Sequence, residues 1–395
     1  MFELHKKRPD VTGLGLQAVV FYLVAAAFST IYILQPVLPV LQGEFGITET
    51  RASFTISFVI LGIALSTLPF GKLVDRYPIK PIILTGGLVV TGCGLFSSIT
   101  RSLPLLVAAR FIQGLFIPSL TTCLAAYLAR NLPQERLNVV MGSYVSATVA
   151  GGLGGRLLGG WIHQVLHWRY AFGITSFLLL SATIAAVCLL PREEGSGEIE
   201  TEAAGFIALL SRPDLMRIYI AVFGAFFVFS SIFNYLPFYL SGPFFEASTT
   251  IITMMYLASI SGIIVGPLAG NLCNRIGNGK TMLLGVLVFG LSIGITLIHS
   301  LVVIIVSLLG VCAGFFTIHA AAVGSLNRKL TASRGRANSL YVLFYYLGGS
   351  IGITISGYAY MFARWYGTAA LGVLILAIPL WAGITEMRKE NAPRP

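Results

Sequence analysis

"PREEGSGEIETEAAGFIALLSRPDLMR", residues 191–217, is the one long polar connection in a chain of 395 residues. It carries Glu193, Glu194, Glu198, Glu200 and Glu202, a third of the chain's 15 acids, and reads as a solvated linker with a short surface helix near 201–211. On either side the sequence resolves into apolar blocks long enough to cross a hydrocarbon core about 30 Å thick at about 1.5 Å per residue. Before the linker they fall near 13–41, 52–74, 79–100, 103–128, 137–162 and 167–191. After it they fall near 215–241, 248–272, 280–300, 301–326, 336–362 and 365–386, with "LIHSLV" around His299 the faintest of the breaks. The linker, taken as 192–214, therefore divides an N-terminal bundle (1–191) from a C-terminal bundle (215–395), six helices each.

The composition agrees, since 56% of residues are hydrophobic, 10% are charged and the mean hydropathy is +0.85, against about 25% charged in a soluble domain. An all-α membrane protein with twelve transmembrane helices is expected. The first apolar block is too long for the apolar region of a signal peptide and is expected to stay as a helix. The net charge of +11 does not call for nucleic acid, because the cations sit in alternate loops. One side holds Lys6, Lys7, Arg8, Lys72, Arg76, Lys80, Arg130, Arg136, Arg192, Arg212, Arg217, Arg275, Lys280, Arg328, Lys329, Arg334, Arg336, Arg388, Lys389 and Arg394; the other holds Arg51, Arg101, Arg169 and Arg364. This asymmetry places both termini in the cytoplasm. The cysteines Cys93, Cys123, Cys188, Cys273 and Cys312 are scattered singly, so neither a metal nor a cofactor is expected.

The two bundles repeat one another at an offset of about 200 residues. "RLNVVMGSY" at 136 answers "RANSLYVLF" at 336, "GLF" at 114 answers "GFF" at 314, "GKLVDRYP" at 71 answers "GNLCNRIG" at 270, and "LPV" at 38 answers "LPF" at 236. Parallel halves related by an axis along the membrane normal are a transporter architecture, with the substrate held between them near the midplane.

These residues resemble the major facilitator superfamily over essentially the whole chain. "GKLVDRYPIK", 71–80, is similar to that family's G-x-x-x-D-R-x-G-R-K loop, with Pro78 and Ile79 as departures. The resemblance implies a gate built from Gly71, Asp75 and Arg76. Gly71 would let helices approach, and Asp75 would pair with a neighbouring cation or cap a helix N-terminus. The second copy has Asn274 for the acid, which predicts a weaker latch. "RFIQG", 110–114, resembles the R-x-x-Q-G signature of the drug:proton antiporter branch, which implies a proton-coupling role for Arg110. A structural arginine satisfied by backbone carbonyls of the first helix is the competing reading. Gln113, one turn on, would share its network.

"GGLGGRLLGG", 151–160, is similar to that branch's G-x-x-x-G-P-x-x-G-G helix, with Arg156 in place of the proline. Gly151, Gly155 and Gly159 recur every four residues and leave one helix face nearly bare for close packing. Arg156 is expected at a depth similar to Arg110, where two cations would repel unless an anion or acid lies between them. No carboxylate is expected mid-membrane, so His319, on the tenth helix, joins Asp75 and Arg110 as a proton-coupling candidate. Tyr32 and Gln35 share a face of the first helix with Pro39, and Ser230 and Asn234, with Pro237, are their counterparts on the seventh. With Gln113, Arg156, Tyr341 and Tyr345, they make up the expected substrate cavity.

Together these features predict a non-enzymatic secondary transporter of the bacterial inner membrane, multi-pass and acting as a monomer. Proton-coupled efflux of small amphiphilic organic molecules by alternating access is the first expectation. An anionic or zwitterionic metabolite, chelator or lipid held by Arg110 and Arg156 is the alternative.

Overall fold

The computed structural model describes residues 13–190, 205–330 and 333–391. The basic cluster Lys6 to Arg8 and most of the expected linker, including its five glutamates and Arg192, lie outside the described residues. The described residues form helices joined by short turns and loops. In the first half these are α1 (Leu14–Phe45), α2 (Glu49–Leu73), α3 (Ile79–Ile99), α4 (Leu103–Asn131), α5 (Gln134–Val165) and α6 (Trp168–Leu189). The second half holds α7 (Pro213–Ser241), α8 (Thr249–Ile276), α9 (Asn278–Ile295) and α10 (Leu301–Arg328). It ends in a continuous run, Arg334–Glu390, that is two helices. Non-helical backbone at Ala363 and at Arg364 (φ 49°) divides α11 (334–362) from α12 (365–390).

Three of the spans are broken at places the sequence explains. In α1 the helix Gly13–Tyr32 gives way to a 3-10 turn, Gln35–Val37, before Leu38–Phe45. Pro36 and Pro39 there have no N–H to return to the preceding turn. In α4 a break at Thr121 follows Pro118. In α8 the turn Tyr256–Ile260 is 3-10, a tightening that in mid-helix often marks a hinge.

Glycine sets the pairing within each half. A Cβ on Gly151, Gly155 or Gly159 of α5 would lie 2.4, 2.1 or 1.8 Å from the carbonyls of Ala25, Ser29 or Ile33 of α1. Only backbone fits against backbone there, and in lipid such close van der Waals contact is what holds helices together. The second half repeats the device, since Gly348 and Gly352 of α11 would meet the carbonyls of Phe223 and Phe227 of α7 at 2.2 and 2.5 Å. These matched pairs recur at an offset of about 200 residues.

Between the halves, the end of the molecule opposite the linker is sealed. Across α2 and α11, Thr50 donates to Met361 Sδ (3.2 Å), Ser350 to the Ser57 carbonyl (2.8 Å), and Arg364 pairs with Glu49 (2.7 Å). Asn234 of α7 donates to Ser53 Oγ at 2.7 Å, and Gln164 of α5 donates to Thr250 of α8. At the linker end α2 and α11 diverge around a cavity of ≈ 530 Å³ lined by Leu68, Pro69, Lys72, Leu340, Phe344 and Leu347. The short helix Phe206–Leu210 docks into it with Leu209 buried and Phe206 under Lys72 Nζ at 5.5 Å. Hydrogen bonds join the halves at the far end, and at the linker end a cavity capped by the 206–210 helix lies between them.

Candidate functional site

The break in α1 organises the centre of the molecule. Carbonyls in the last turn of a helix lack helical partners, and those of Thr30 and Ile31 accept from Arg110 at 2.8 and 2.5 Å. Arg110 also donates through Nε to the Thr55 carbonyl (3.1 Å) and through Nη1 to Gln113 Oε1 (2.6 Å). Gln113 passes on a bond to the Val90 carbonyl (3.0 Å). Arg110 is 0% exposed. It sits inside the first half, behind α1, and Gln113 lies with it against α3 rather than in the cavity. The structure places Arg110 on backbone carbonyls of the first helix, among other acceptors, and no acid touches it among the described residues.

Arg156 reaches the same break from the space between the halves. Its Nε donates to Gln35 Oε1 (2.7 Å) and its Nη1 to the Gly152 carbonyl (3.0 Å). Its guanidinium lies over the rings of Tyr32 (4.1 Å), Tyr256 (5.2 Å) and Phe233 (6.0 Å). Four helices from both halves, α1, α5, α7 and α8, therefore meet at this one cation.

From Phe233 an aromatic wall runs through the second half. Phe233 meets Phe229 at 4.7 Å, Phe229 meets Phe315 at 4.1 Å, and Phe226 stacks on Tyr345 at 3.7 Å. Phe315 and Tyr345 flank the His319 ring at 6.0 and 5.7 Å. The wall ends where His319 Nδ1 and the Tyr341 hydroxyl share a hydrogen bond of 2.9 Å. Arg156 lies under the sealed end, about nine residues or ~14 Å in from the end of α5. His319 lies toward the linker end of α10.

The other expected cavity residues go elsewhere. Ser230 donates to the carbonyls of Phe227 (3.2 Å) and Gly349 (3.1 Å) and belongs to the α7–α11 packing. Asn234, 0% exposed, belongs to the far-end seal. Nothing in the sequence singles out Tyr256, Phe233, Phe229 and Phe315. Aromatic residues in apolar spans carry no signal of which face meets a cavity.

At the linker end Asp75 pairs with Arg130, which also donates to the Val74 carbonyl at 3.1 Å. Both partners belong to the first half, so in this conformation Asp75 latches α2 to α4 and not one half to the other. The second half repeats the contact with its amide: Arg328 donates to Asn274 Oδ1 at 3.1 Å. A Cβ on Gly71 would meet nothing within 4 Å. The close approach expected of that glycine is not made in this conformation. Arg76 is exposed at the same turn.

The chain matches the family model described as Major Facilitator Superfamily over residues 20–266 and 244–395. It is 30% identical over 371 residues to the inner membrane transport protein YnfM of Escherichia coli (strain K12), covering 93% of this chain and 89% of that one. It is 27% identical over 382 residues to the uncharacterized MFS-type transporter YybF of Bacillus subtilis (strain 168), covering 95% of each. Among solved structures it is similar to a bacterial homolog of the human lysosomal transporter Spinster, in an inward-facing and unoccupied conformation. That likeness has a TM-score of 0.75 at 14% identity over 97% of this chain and 99% of that one, and speaks for the fold.

Proposed function

Since the chain belongs to the Major Facilitator Superfamily and is a multi-pass membrane transporter rather than an enzyme, we propose that it exports small amphiphilic organic molecules by rocking its two halves about the Arg156 cluster. One observation carries the reading. A buried polar and aromatic cluster contributed by both halves, from Arg156 and Gln35 to His319 and Tyr341, lies between the hydrogen-bonded far end and a separate cavity at the linker end. Such a cluster suits a solute with a polar head and an apolar body.

Protons are the proposed coupling ion, with His319 as the group that titrates. It is the histidine inside the span interior, and its Nδ1 is fixed by Tyr341, which leaves Nε2 for the cavity. Arg110 acts by position, holding the carbonyl ends of α1 so that Tyr32 and Gln35 face Arg156. The positive-inside asymmetry favours the linker end as cytoplasmic, and we propose that the chain works alone.

The test is uptake into inside-out vesicles energised with a proton gradient. Gradient-dependent accumulation of an amphiphilic solute that is lost in His319→Ala supports the reading. Accumulation that ignores the gradient, or survives the substitution, contradicts the coupling role of His319.

A further inference from the structure

Arg110 and Arg156 are both buried guanidiniums, but only one has its donors used. Of the five N–H groups of an arginine, four in Arg110 are taken by three carbonyls and an amide oxygen. Arg156, 7% exposed, uses Nε and one Nη1 hydrogen and has no partner on Nη2 among the described residues. Gln35, 1% exposed, turns its oxygen to Arg156 and leaves its Nε2 donors without a hydrogen bond among the described residues.

The local charge is equally one-sided. The ion pairs among the described residues sit at helix ends, at Asp75, Glu44, Asp214, Glu386 and Glu49, and none reaches Arg156. A cation held in this setting without an acid carries a substantial desolvation cost. Ring faces compensate in part. The part of the guanidinium left for a ligand is its Nη2, which has no partner among the described residues.

We infer that Arg156 and Gln35 form an anion subsite at the contact of the two halves, built for the carboxylate of an amphiphilic organic acid whose apolar body is received by the aromatic wall of Phe233, Phe229 and Phe315. The inference rests on the transporter reading above and names the substrate class of that same site. A planar carboxylate matches a guanidinium edge with two parallel hydrogen bonds, which a point-charge partner does not use. One guanidinium balances one carboxylate charge, whereas a dianionic phosphate would remain half neutralised. The unpartnered polar groups are donors, so an ammonium would find no acceptor among them and would face the charge of Arg156.

The experiment compares matched ligands on the full chain in nanodiscs by calorimetry at pH 7: naphthylacetate, naphthylacetamide and naphthylethylamine, and octanoate, octanamide and octylamine. The wild type is expected to bind each carboxylate at least about tenfold more tightly than its amide, the worth of one charge-assisted hydrogen bond, with the amine weaker still. Arg156→Gln should bring the carboxylate down to the amide's level. Arg156→Lys should keep the order of preference with a smaller ratio, and both variants should show cooperative thermal unfolding. Carboxylates that bind no better than amides or amines, no carboxylate binding at all, or a preference that survives Arg156→Gln would each overturn the inference. Gradient-driven uptake of a neutral or cationic member, independent of Arg156, would leave the transporter reading standing without the anion site. Carboxylate binding without uptake under any imposed gradient would do the reverse.

Discussion

Arg110 and Arg156 grip the same break in α1 from two sides, Arg110 through the carbonyls of Thr30 and Ile31 and Arg156 through the side chain of Gln35. The two cations therefore do not need to share an acid. One is neutralised by the carbonyl end of a helix, where the backbone dipole is negative; the other is left for a ligand.

Arg110→Ala would strand the buried helix-end carbonyls of Thr30 and Ile31 and the Gln113 amide oxygen, and would remove a second bond from the Thr55 carbonyl. A loss on the order of 3 kcal/mol or more is expected. Arg110→Lys, a point charge with three donors, should recover part of it. Thermal unfolding in detergent measures both. A variant with wild-type stability would show that the carbonyls find other partners.

The glycine contacts predict a sharp contrast within one helix. Gly155→Ala places a methyl group 2.1 Å from the Ser29 carbonyl, where α1 and α5 would have to separate. Gly154→Ala, one residue away, meets nothing within 4 Å. Yield of folded monodisperse protein should fall steeply for the first and stay unchanged for the second. Equal yields would mean that the α1–α5 contact is not what fixes the half.

Asp75 and Arg130 are 41% and 44% exposed at the side chain, and an ion pair so open to solvent contributes only about 0–1 kcal/mol. Asp75→Asn, which reproduces the Asn274 of the second half, should leave the unfolding midpoint nearly unchanged. Any fall in transport rate would then report on the state in which the linker end is closed. A large drop in stability would place the pair among the structural contacts instead.

Much of this architecture is legible in the sequence alone. The two-fold repeat follows from a few short matches and reappears in the paired glycine contacts, because close backbone packing tolerates only glycine and so leaves a mark in the sequence. Tyr32, Gln35 and Arg156 were readable as a group, since a helical face and an isolated charge both constrain position. Tyr341 and Tyr345 of the aromatic wall are expected from the sequence, but its phenylalanines are not, because Phe229 and Phe315 look the same in sequence whether they line a cavity or fill a core. Ser230 and Asn234 went astray for the same reason: small polar residues serve equally in cavities and in helix contacts.

Gln164 and Thr250 touch across the far-end seal. With the native Cys93, Cys123, Cys188, Cys273 and Cys312 replaced, Gln164→Cys together with Thr250→Cys should oxidise readily and stop transport. Reduction should restore it. Full activity in the cross-linked form would show that the seal never opens.

The most direct test of rocking about the Arg156 site is a pair of spin-label distances on that cysteine-free chain. One spans the far end, Gln164 to Thr250; the other spans the linker end, Arg76 to Gly335, both exposed there. Across a change of pH from about 8 to 5.5, with and without octanoate, every condition that lengthens the far-end distance should shorten the linker-end distance. Distances that stay fixed throughout, or that lengthen and shorten together, would contradict alternating access in this chain.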